Sequence, residues 1–449
     1  MSETQTDPAR RRTGTGPRPA PTWWVWLAAW PVTAVFVLSN VATPLYALWQ
    51  RDIGFSKGTL TVVFAFYIVG LLGSLLVSGV AADRLGRKRV LLPALGLALA
   101  ACAIFATAQS VAALFAARLF TGIAVGAVVS AGMAAVSDVA GTARARLGAL
   151  LASCAMVFGA GLGPLLAGVL SETLPAPTVT VFAVEAALLA TAVLAVARMP
   201  LHRPAAVRQT AGEVSESAEA GRPEERRAEP ARGSWVRLPR VPQGNGLRLA
   251  LGLAVFAPGI TATSFVLSLG PSLLSGLLDT TSRVVAGAIA CAMFLAATGV
   301  QFLVQRLGRR AMLVAGAAAI AASMAALIAA VHTSNVPALL AAALLAGAGQ
   351  GLGQLGGLSL LNASVPPDRL AEANAAFNVG GYLPAGTLPV ATGYLSDAIG
   401  LASGTTAFGI ALITLAVAGG IVVLTTGRRV TEPAGTRAPD RHRRTHPPR

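Results

Sequence analysis

The feature that most constrains the fold is a series of about twelve long apolar runs spread along 449 residues. The hydrocarbon core of a bilayer is roughly 30 Å thick, so a helix needs about 20 consecutive apolar residues to cross it. The runs predict twelve membrane-spanning helices, with these bounds: Trp23 to Leu48, Thr59 to Ala82, Val90 to Ala108, Val111 to Val136, Leu147 to Leu170, Val179 to Ala197, Leu249 to Leu274, Val284 to Val304, Ala311 to Val331, Val336 to Leu361, Ala371 to Leu395 and Thr405 to Thr425.

Composition excludes a soluble globular protein, because 54% of the side chains are hydrophobic, only 12% are charged and the mean hydropathy is +0.66. The runs show no alternation of polar and apolar residues, which argues against a β-barrel. The 48 glycines suit helices that pack closely in lipid. We therefore predict an all-α membrane protein.

The net charge of +16 raises the question of nucleic-acid binding, and the position of the charges answers it. Of the 35 basic residues, only Arg51, Lys57 and Arg283 fall in predicted outer loops and Arg118 within a span, if the N-terminus is cytoplasmic. This bias is the positive-inside pattern of a multi-pass membrane protein. It predicts that both termini are cytoplasmic and that nucleic acid is not a partner.

The chain divides into two similar halves. A tail of residues 1–22 precedes six spans in residues 23–197, a polar segment of residues 198–248 follows, six more spans occupy residues 249–426, and a basic tail covers residues 427–449. The two tails and the central segment are predicted to be disordered, with the central segment a cytoplasmic linker. The segment Gly163 to Glu172 matches Leu388 to Asp397 at a spacing of 225 residues, which indicates a duplicated six-helix unit.

A cluster of charges interrupts the apolar pattern between the second and third spans. Its sequence, Gly79-Val-Ala-Ala-Asp83-Arg84-Leu-Gly86-Arg87-Lys88-Arg89, has a shorter copy at Arg306-Leu-Gly-Arg309. The cluster resembles the signature of the major facilitator superfamily at this place, and the six-plus-six plan is similar to that family. The resemblance covers nearly the whole chain and implies twelve transmembrane helices in two six-helix pseudo-repeats.

The resemblance implies that the cluster is a conformational latch. The residues assigned to it are Gly79, Asp83, Arg84, Gly86, Arg87 and Asp138. We expect Asp83 to face the N-terminus of the eleventh helix when the halves close inside, and Arg84 and Arg87 to meet Asp138. The alternative is that these charges only set the topology.

Two charged residues that lie well inside predicted spans are candidates for proton coupling. Arg118 begins Arg-Leu-Phe-Thr-Gly122, which resembles an element of the family linked to proton coupling, although the side chain could instead extend to the outer surface. Glu185 lies about two turns from that surface on a helix that is peripheral in such folds. We expect Glu185 to reach the interface and coupling to depend more on Arg118.

The fifth span carries Gly159-Ala-Gly-Leu-Gly163-Pro164-Leu-Leu-Ala167-Gly168, similar to an element of the 12-helix drug/proton antiporter group. Ala167 departs from the usual glycine pair. The resemblance favours export over import, whereas general helix packing is the alternative explanation of the glycines.

The sequence thus predicts a secondary transporter of the plasma membrane, acting as a monomer, that exports a small amphipathic compound in exchange for protons and needs no cofactor or metal. The alternative is a proton-coupled importer of a nutrient. An enzyme is not expected, because Gly351-Leu-Gly-Gln-Leu-Gly356 lies inside an apolar run rather than after a strand. Polar and aromatic residues within the spans are assigned to the substrate cavity: Asn40, Tyr46, Tyr67, Gln350, Gln354, Asn378 and Tyr382.

Overall fold

The protein is a bundle of long helices joined by short connections. The computed structural model describes residues 21–200, 240, 244–277, 281–304, 306–366 and 369–431. Across these ranges there are twelve helices of 20 residues or more when short irregular turns are counted with their neighbours, with these bounds: α1 (Thr22–Val41), α2 (Lys57–Leu85), α3 (Arg87–Ala106), α4 (Val111–Ala127), α5 (Ala145–Thr173), α6 (Pro177–Arg198), α7 (Gly246–Leu277), α8 (Arg283–Leu303), α9 (Arg309–Thr333), α10 (Val336–Asn362), α11 (Leu370–Ile399) and α12 (Leu401–Thr431).

These helices confirm the all-α fold predicted from the apolar runs. Eleven of the described helical segments are long and apolar enough to cross a membrane. The remaining helix, α11, has 30 residues and sufficient length, but its sequence is more polar. The predicted tails and central linker lie mostly outside the described residues.

Two helices continue through irregular turns. After Val41, α1 extends through a 3₁₀ turn (Thr43–Leu45), a short helix (Tyr46–Trp49) and a π turn (Gln50–Gly54). After Ala127, α4 passes through a π turn (Val128–Gly132) into the helix Met133–Ala140. Single π turns are frequent at functional sites. Both helices contribute to the charged site described below.

The same packing scheme occurs in both halves. α1 packs on α5 and α2 on α4, while in the second half α7 packs on α11 and α8 on α10. Glycine makes the packing of α2 on α4, and of α8 on α10, possible. A Cβ atom at Gly122 of α4 would lie 2.8 Å from the Leu71 backbone nitrogen of α2. At Gly351 of α10 a Cβ would lie 2.9 Å from the Ala297 carbonyl carbon of α8. In lipid, such close backbone approach replaces the hydrophobic effect as the source of helix association.

The halves meet along two seams, α2 with α11 and α5 with α8. We call the end of the bundle where α1, α3 and α5 finish the outer face, because the distribution of basic residues predicts that it lies outside. Glycine contacts across the seams run from this outer face to about mid-helix: Gly393 approaches the start of α2, Gly386 lies against Ile68, and Gly287 lies against Pro164. The seams are therefore closed on their outer side.

We expect Gly122→Val to destabilise the first half, because its side chain would meet backbone rather than flexible atoms. Overpacking of this kind costs about 1–3 kcal/mol. The measurement is the thermal unfolding midpoint of the purified protein in detergent. Gly96→Val is the matched control, since a Cβ at Gly96 of α3 meets nothing within 4 Å. Equal midpoints for the two variants would contradict the packing argument.

Candidate functional site

Arg118 is fully buried in the first half, with 0% of its surface exposed. Its Nη1 atom donates a hydrogen bond to the Ser39 carbonyl oxygen of α1 at 2.8 Å. The expectation that Arg118 could extend to the outer surface is wrong, because α1, α2 and α3 enclose its guanidinium group. An arginine in this environment is costly unless its charge is stabilised locally.

Aromatic rings provide part of that stabilisation. The guanidinium carbon of Arg118 lies 5.0 Å from the centre of the Tyr46 ring, 5.7 Å from Phe64, 5.7 Å from Phe105 and 6.0 Å from Tyr67. A desolvated cation over such rings gains about 2 kcal/mol per favourable contact. The Nε and Nη2 atoms have no hydrogen-bond partner among the described residues. Arg118 is thus held in place by the Ser39 carbonyl, by these rings and by the nearby Tyr46 hydroxyl.

Glu185 is also buried, with 2% of its surface exposed. The expectation that it reaches the membrane surface is wrong, because α6 turns this residue inward. Its carboxyl group lies against the backbone of Leu38 and near the Cys102 thiol. Its Oε1 atom has no hydrogen-bond partner in the described part of the chain. A buried carboxyl with an unpaired oxygen is a functional candidate, since leaving such a group unsatisfied costs stability.

The two buried charges approach α1 from different helices at the same level. Glu185 lies against Leu38, and Arg118 binds the carbonyl of the next residue, Ser39. The amide of Asn40 donates to the Ser39 hydroxyl at 2.8 Å. The two side chains therefore contact adjacent residues of α1.

Several residues assigned to the substrate cavity belong to this cluster. Asn40 and Tyr46 are buried beside Arg118, and Tyr67 is close enough to interact with Tyr382 of the second half. Gln350 packs elsewhere, against Gly259 of α7, where a Cβ would lie 2.8 Å from its Cα atom. The side chains of Gln354 and Asn378 are half-buried on α10 and α11. Phe64 and Phe105 are site residues that the sequence analysis missed, because an aromatic residue in an apolar span carries no distinguishing signal.

The charged cluster at the inner ends of α2 and α3 forms around Arg87. Its guanidinium group binds Asp83 at 2.6 Å and Asp138 at 3.3 Å, and so connects α2, α3 and the extension of α4. Gly86 provides the turn, with a φ of +95° that favours glycine. Gly79 is half-buried one turn before Asp83, and Arg84 is exposed beside it. The contact of Arg87 with Asp138 agrees with the expectation from the sequence. The contact of Asp83 with Arg87 joins two residues of the first half, whereas the sequence led us to expect Asp83 to face the N-terminus of the eleventh helix when the halves close inside.

The glycine element of α5 lies where three helices meet. Gly159 and Gly163 pack on α1, where a Cβ at Gly163 would lie 3.2 Å from the Val37 Cα atom. Pro164 and Gly168 instead face α8 of the other half, near Gly287 and Val284. The element therefore joins the charged site on α1 to the seam between the halves.

A cleft of about 460 Å³ opens at the outer face between the two halves. It is bounded by the extension of α1, the outer end of α7 and the start of α8. Arg51 and Arg283 lie at its edge. The cleft is a small outer vestibule above the closed seams.

Comparison with known protein families identifies the chain. Its sequence matches the family described as Major Facilitator Superfamily over residues 25–300 and 249–447. The chain belongs to the major facilitator superfamily. It is accordingly a membrane transporter rather than an enzyme, and it binds a small-molecule substrate.

Solved structures of other major facilitator transporters share its fold. The POT family transporter PepTSo has a TM-score of 0.70 at 12% identity, covering 92% of this chain and 99% of its own. A bacterial homologue of the human lysosomal transporter Spinster, inward-facing and occupied, has a TM-score of 0.69 at 11% identity, with 94% and 100% covered. A D-xylose–proton symporter has a TM-score of 0.63 at 16% identity, with 88% and 96% covered. A comparison with curated protein sequences gave no match.

Proposed function

We propose that this transporter exports a small amphipathic compound in exchange for protons, by alternating access of a site between its halves. It acts as a monomer in the plasma membrane, with both termini in the cytoplasm and the proton gradient as its energy source. The observation that carries the proposal is the pair of buried charged side chains, Arg118 of α4 and Glu185 of α6, that both contact α1. They place a group that can bind a proton next to a helix that borders the seam between the halves.

Glu185 is the proton carrier in this proposal. Arginine stays protonated in proteins, so Arg118 cannot release a proton itself. Among the described residues, Arg118 and Glu185 are the charged side chains that are buried. Arg118 therefore acts on the site through its field, and this arrangement reverses the order of importance expected from the sequence.

The preference for export rests on the antiporter-like element of α5. Pro164 and Gly168 contact α8 of the opposite half, so the element lies at a joint that must move during transport. Import of a nutrient is the second candidate, since a D-xylose–proton symporter and the nucleoside transporter NupG share the fold. Their identities of 16% and 13% bear on the fold alone.

The environment of the cavity favours a weakly charged, partly aromatic substrate. Tyr46, Tyr67 and Tyr382 offer ring faces and hydroxyl groups, and Asn40 offers an amide. A strongly ionic compound would need a fixed counter-charge in the cavity. Arg118 and Glu185, the buried charged side chains among the described residues, already contact α1.

Direction is tested with lipophilic dyes and growth inhibitors in cells that contain or lack the transporter. Export predicts lower dye content and higher inhibitor tolerance in cells with the transporter, and both differences should vanish when an uncoupler removes the proton gradient. Higher content of the tested compound under the same gradient would establish import instead.

We expect Glu185→Gln to abolish proton-driven accumulation in inverted membrane vesicles while preserving exchange of substrate down its own gradient. The amide keeps the shape of the side chain but cannot carry the proton. Arg118→Ala should also abolish accumulation, because its removal changes the field and the packing around Ser39. Glu372→Gln is the matched control, since this carboxylate pairs with Arg369 outside the site. Retention of full accumulation by folded Glu185→Gln would refute its role as carrier.

The cluster around Arg87 is proposed to act as the inner latch, and we expect Asp83→Asn to slow transport without preventing insertion. A partly exposed ion pair contributes about 0.2–1 kcal/mol, so the rate should fall by a factor of about 1.4 to 5. The measurement is the initial rate of transport at limiting and saturating substrate, normalised to protein abundance. Asp52→Asn, an exposed outer acid beside Arg51, should leave the rate unchanged. Unaltered rates for Asp83→Asn at both concentrations would leave Asp83 without this function.

A further inference from the structure

The repeated segments of the two halves each end in an acid at the outer face. Glu172 lies near the outer end of α5 and Asp397 near the outer end of α11, the fifth helix of each half. Both side chains cross the seam to the second helix of the opposite half. The same contact, a carboxylate of one half against a helix start of the other, therefore occurs twice in one chain, with different local sequences.

Asp397 binds the N-terminus of α2. Its Oδ1 atom accepts a hydrogen bond from the Lys57 backbone nitrogen at 3.0 Å, and its Oδ2 atom accepts one from Gly58 at 2.8 Å. The next nitrogen, that of Thr59, donates to the Ser56 hydroxyl at 3.2 Å. The carboxylate thus satisfies the two N–H groups that the helix's own cap leaves free.

Glu172 binds the N-terminus of α8 in the same way. Its Oε1 atom accepts hydrogen bonds from the backbone nitrogens of Arg283 and of Val284, the latter at 3.1 Å. The next nitrogen, that of Val285, donates to the Ser282 hydroxyl at 3.2 Å. Each helix start is therefore capped by a local serine and by a carboxylate from the other half.

Glycines allow both contacts. Gly168 precedes Glu172 by four residues, and Gly393 precedes Asp397 by four residues. A Cβ at Gly168 would lie 2.9 Å from the Val284 Cα atom, and one at Gly393 would lie 3.0 Å from the Gly58 Cα atom. A larger residue at either position would hold the carboxylate away from the helix that it caps.

We propose that Glu172 and Asp397 form a pair of outer latches that hold the transporter closed to the outside. Each carboxylate meets the positive end of a helix dipole and two N–H groups, an arrangement that strengthens charge-assisted hydrogen bonds. Opening the outer face separates α5 from α8 and α2 from α11, so it breaks both sets of hydrogen bonds. Because the halves move as units, the two latches open together and their contributions add.

The two outer latches act whatever the substrate, the direction of transport or the proton carrier. Glu172 and Asp397 are therefore positioning residues for alternating access. A residue with a merely structural role would lower stability when changed, whereas a latch residue shifts the balance between the closed and open outer states.

The test measures access to Thr43 from outside. This residue is buried, with 2% exposure, beneath the outer cleft. Thr43→Cys is introduced after replacement of Cys102, Cys154 and Cys291 by alanine, and intact cells are treated with a membrane-impermeant thiol reagent. Glu172→Gln or Asp397→Asn should each raise the labelling rate on the order of tenfold, and the double variant by the product of the two factors.

Two controls separate a latch from a general loss of structure. Asp52→Asn removes an outer carboxylate that pairs with Arg51 and should leave the labelling rate unchanged. Asp397→Glu keeps the charge and should restore slow labelling. Equal rates in the parent and the double variant, or the same increase in Asp52→Asn, would overturn the proposal.

A second measurement applies if the charge-removing variants do not insert. Glu172 and Ser282 are in contact across the seam. With cysteines at the nearby positions Leu174 and Thr281, which leave Glu172 and Ser282 in place, a bifunctional thiol cross-linker should join the outer end of α5 to the start of α8 in the resting transporter and block transport until the link is cleaved. No cross-link at rest, or full transport with the link intact, would contradict a closed outer seam that must open.

Discussion

The rest of the structure depends on the close approach of the two halves along seams where glycine replaces a side chain. Gly168 and Gly287 bring α5 and α8 together, and Gly393 brings α11 to the start of α2. A Cβ at Gly287 would lie 2.8 Å from the carbonyl carbon of Pro164, so the backbones themselves form the seam. This proximity closes the outer side and brings the carboxylates of one half to the helix ends of the other. Without it, the halves would be two bundles joined only by a chain segment.

The seam is connected to the charged site through α5. One side of this helix packs on α1 at Gly159 and Gly163, and another side packs on α8 at Gly168. Arg118 binds the Ser39 carbonyl of α1, and Glu185 lies against Leu38. A change in the seam therefore has a short path through packed backbone to the groups proposed to handle the proton. These contacts connect the two sites physically. Transport by the Glu172 and Glu185 variants tests whether the sites are also coupled energetically.

Much of the fold follows from the sequence, because a helix long and apolar enough for the bilayer has few alternatives. The predicted runs match the helices from α1 to α12, and the repeat of residues 163–172 at 388–397 anticipated the matching halves. The rotation of each helix about its axis was not predictable in the same way. α6 is apolar on nearly every side, so nothing in its pattern showed that Glu185 faces inward.

The cross-half contacts were beyond sequence reasoning for another reason. Asp397 and Lys57 are 340 positions apart, and Glu172 and Val284 are 112 apart. The repeat placed both acids at equivalent positions, but their partners are backbone N–H groups, which every residue except proline carries. Only the packing of the halves identifies which helix ends receive them. The contact of Arg87 with Asp138, by contrast, was predicted, because both charges stand out in apolar surroundings, whereas its contact with Asp83 was not predicted.

The most direct test of the account measures both ends of one seam in the same transporter. Spin labels at Leu174 and Thr281 report the outer end of α5 and α8, and labels at Arg146 and Leu303 report the inner end. Pulsed resonance in lipid nanodiscs would give the two distance distributions in acidic and alkaline buffer. If the seam opens outside as it closes inside, the outer distance is short at rest, and in any second population it increases while the inner distance decreases. Two distances that rise and fall together, or an outer distance that never changes while substrate is transported, would contradict this opposite motion of the two ends.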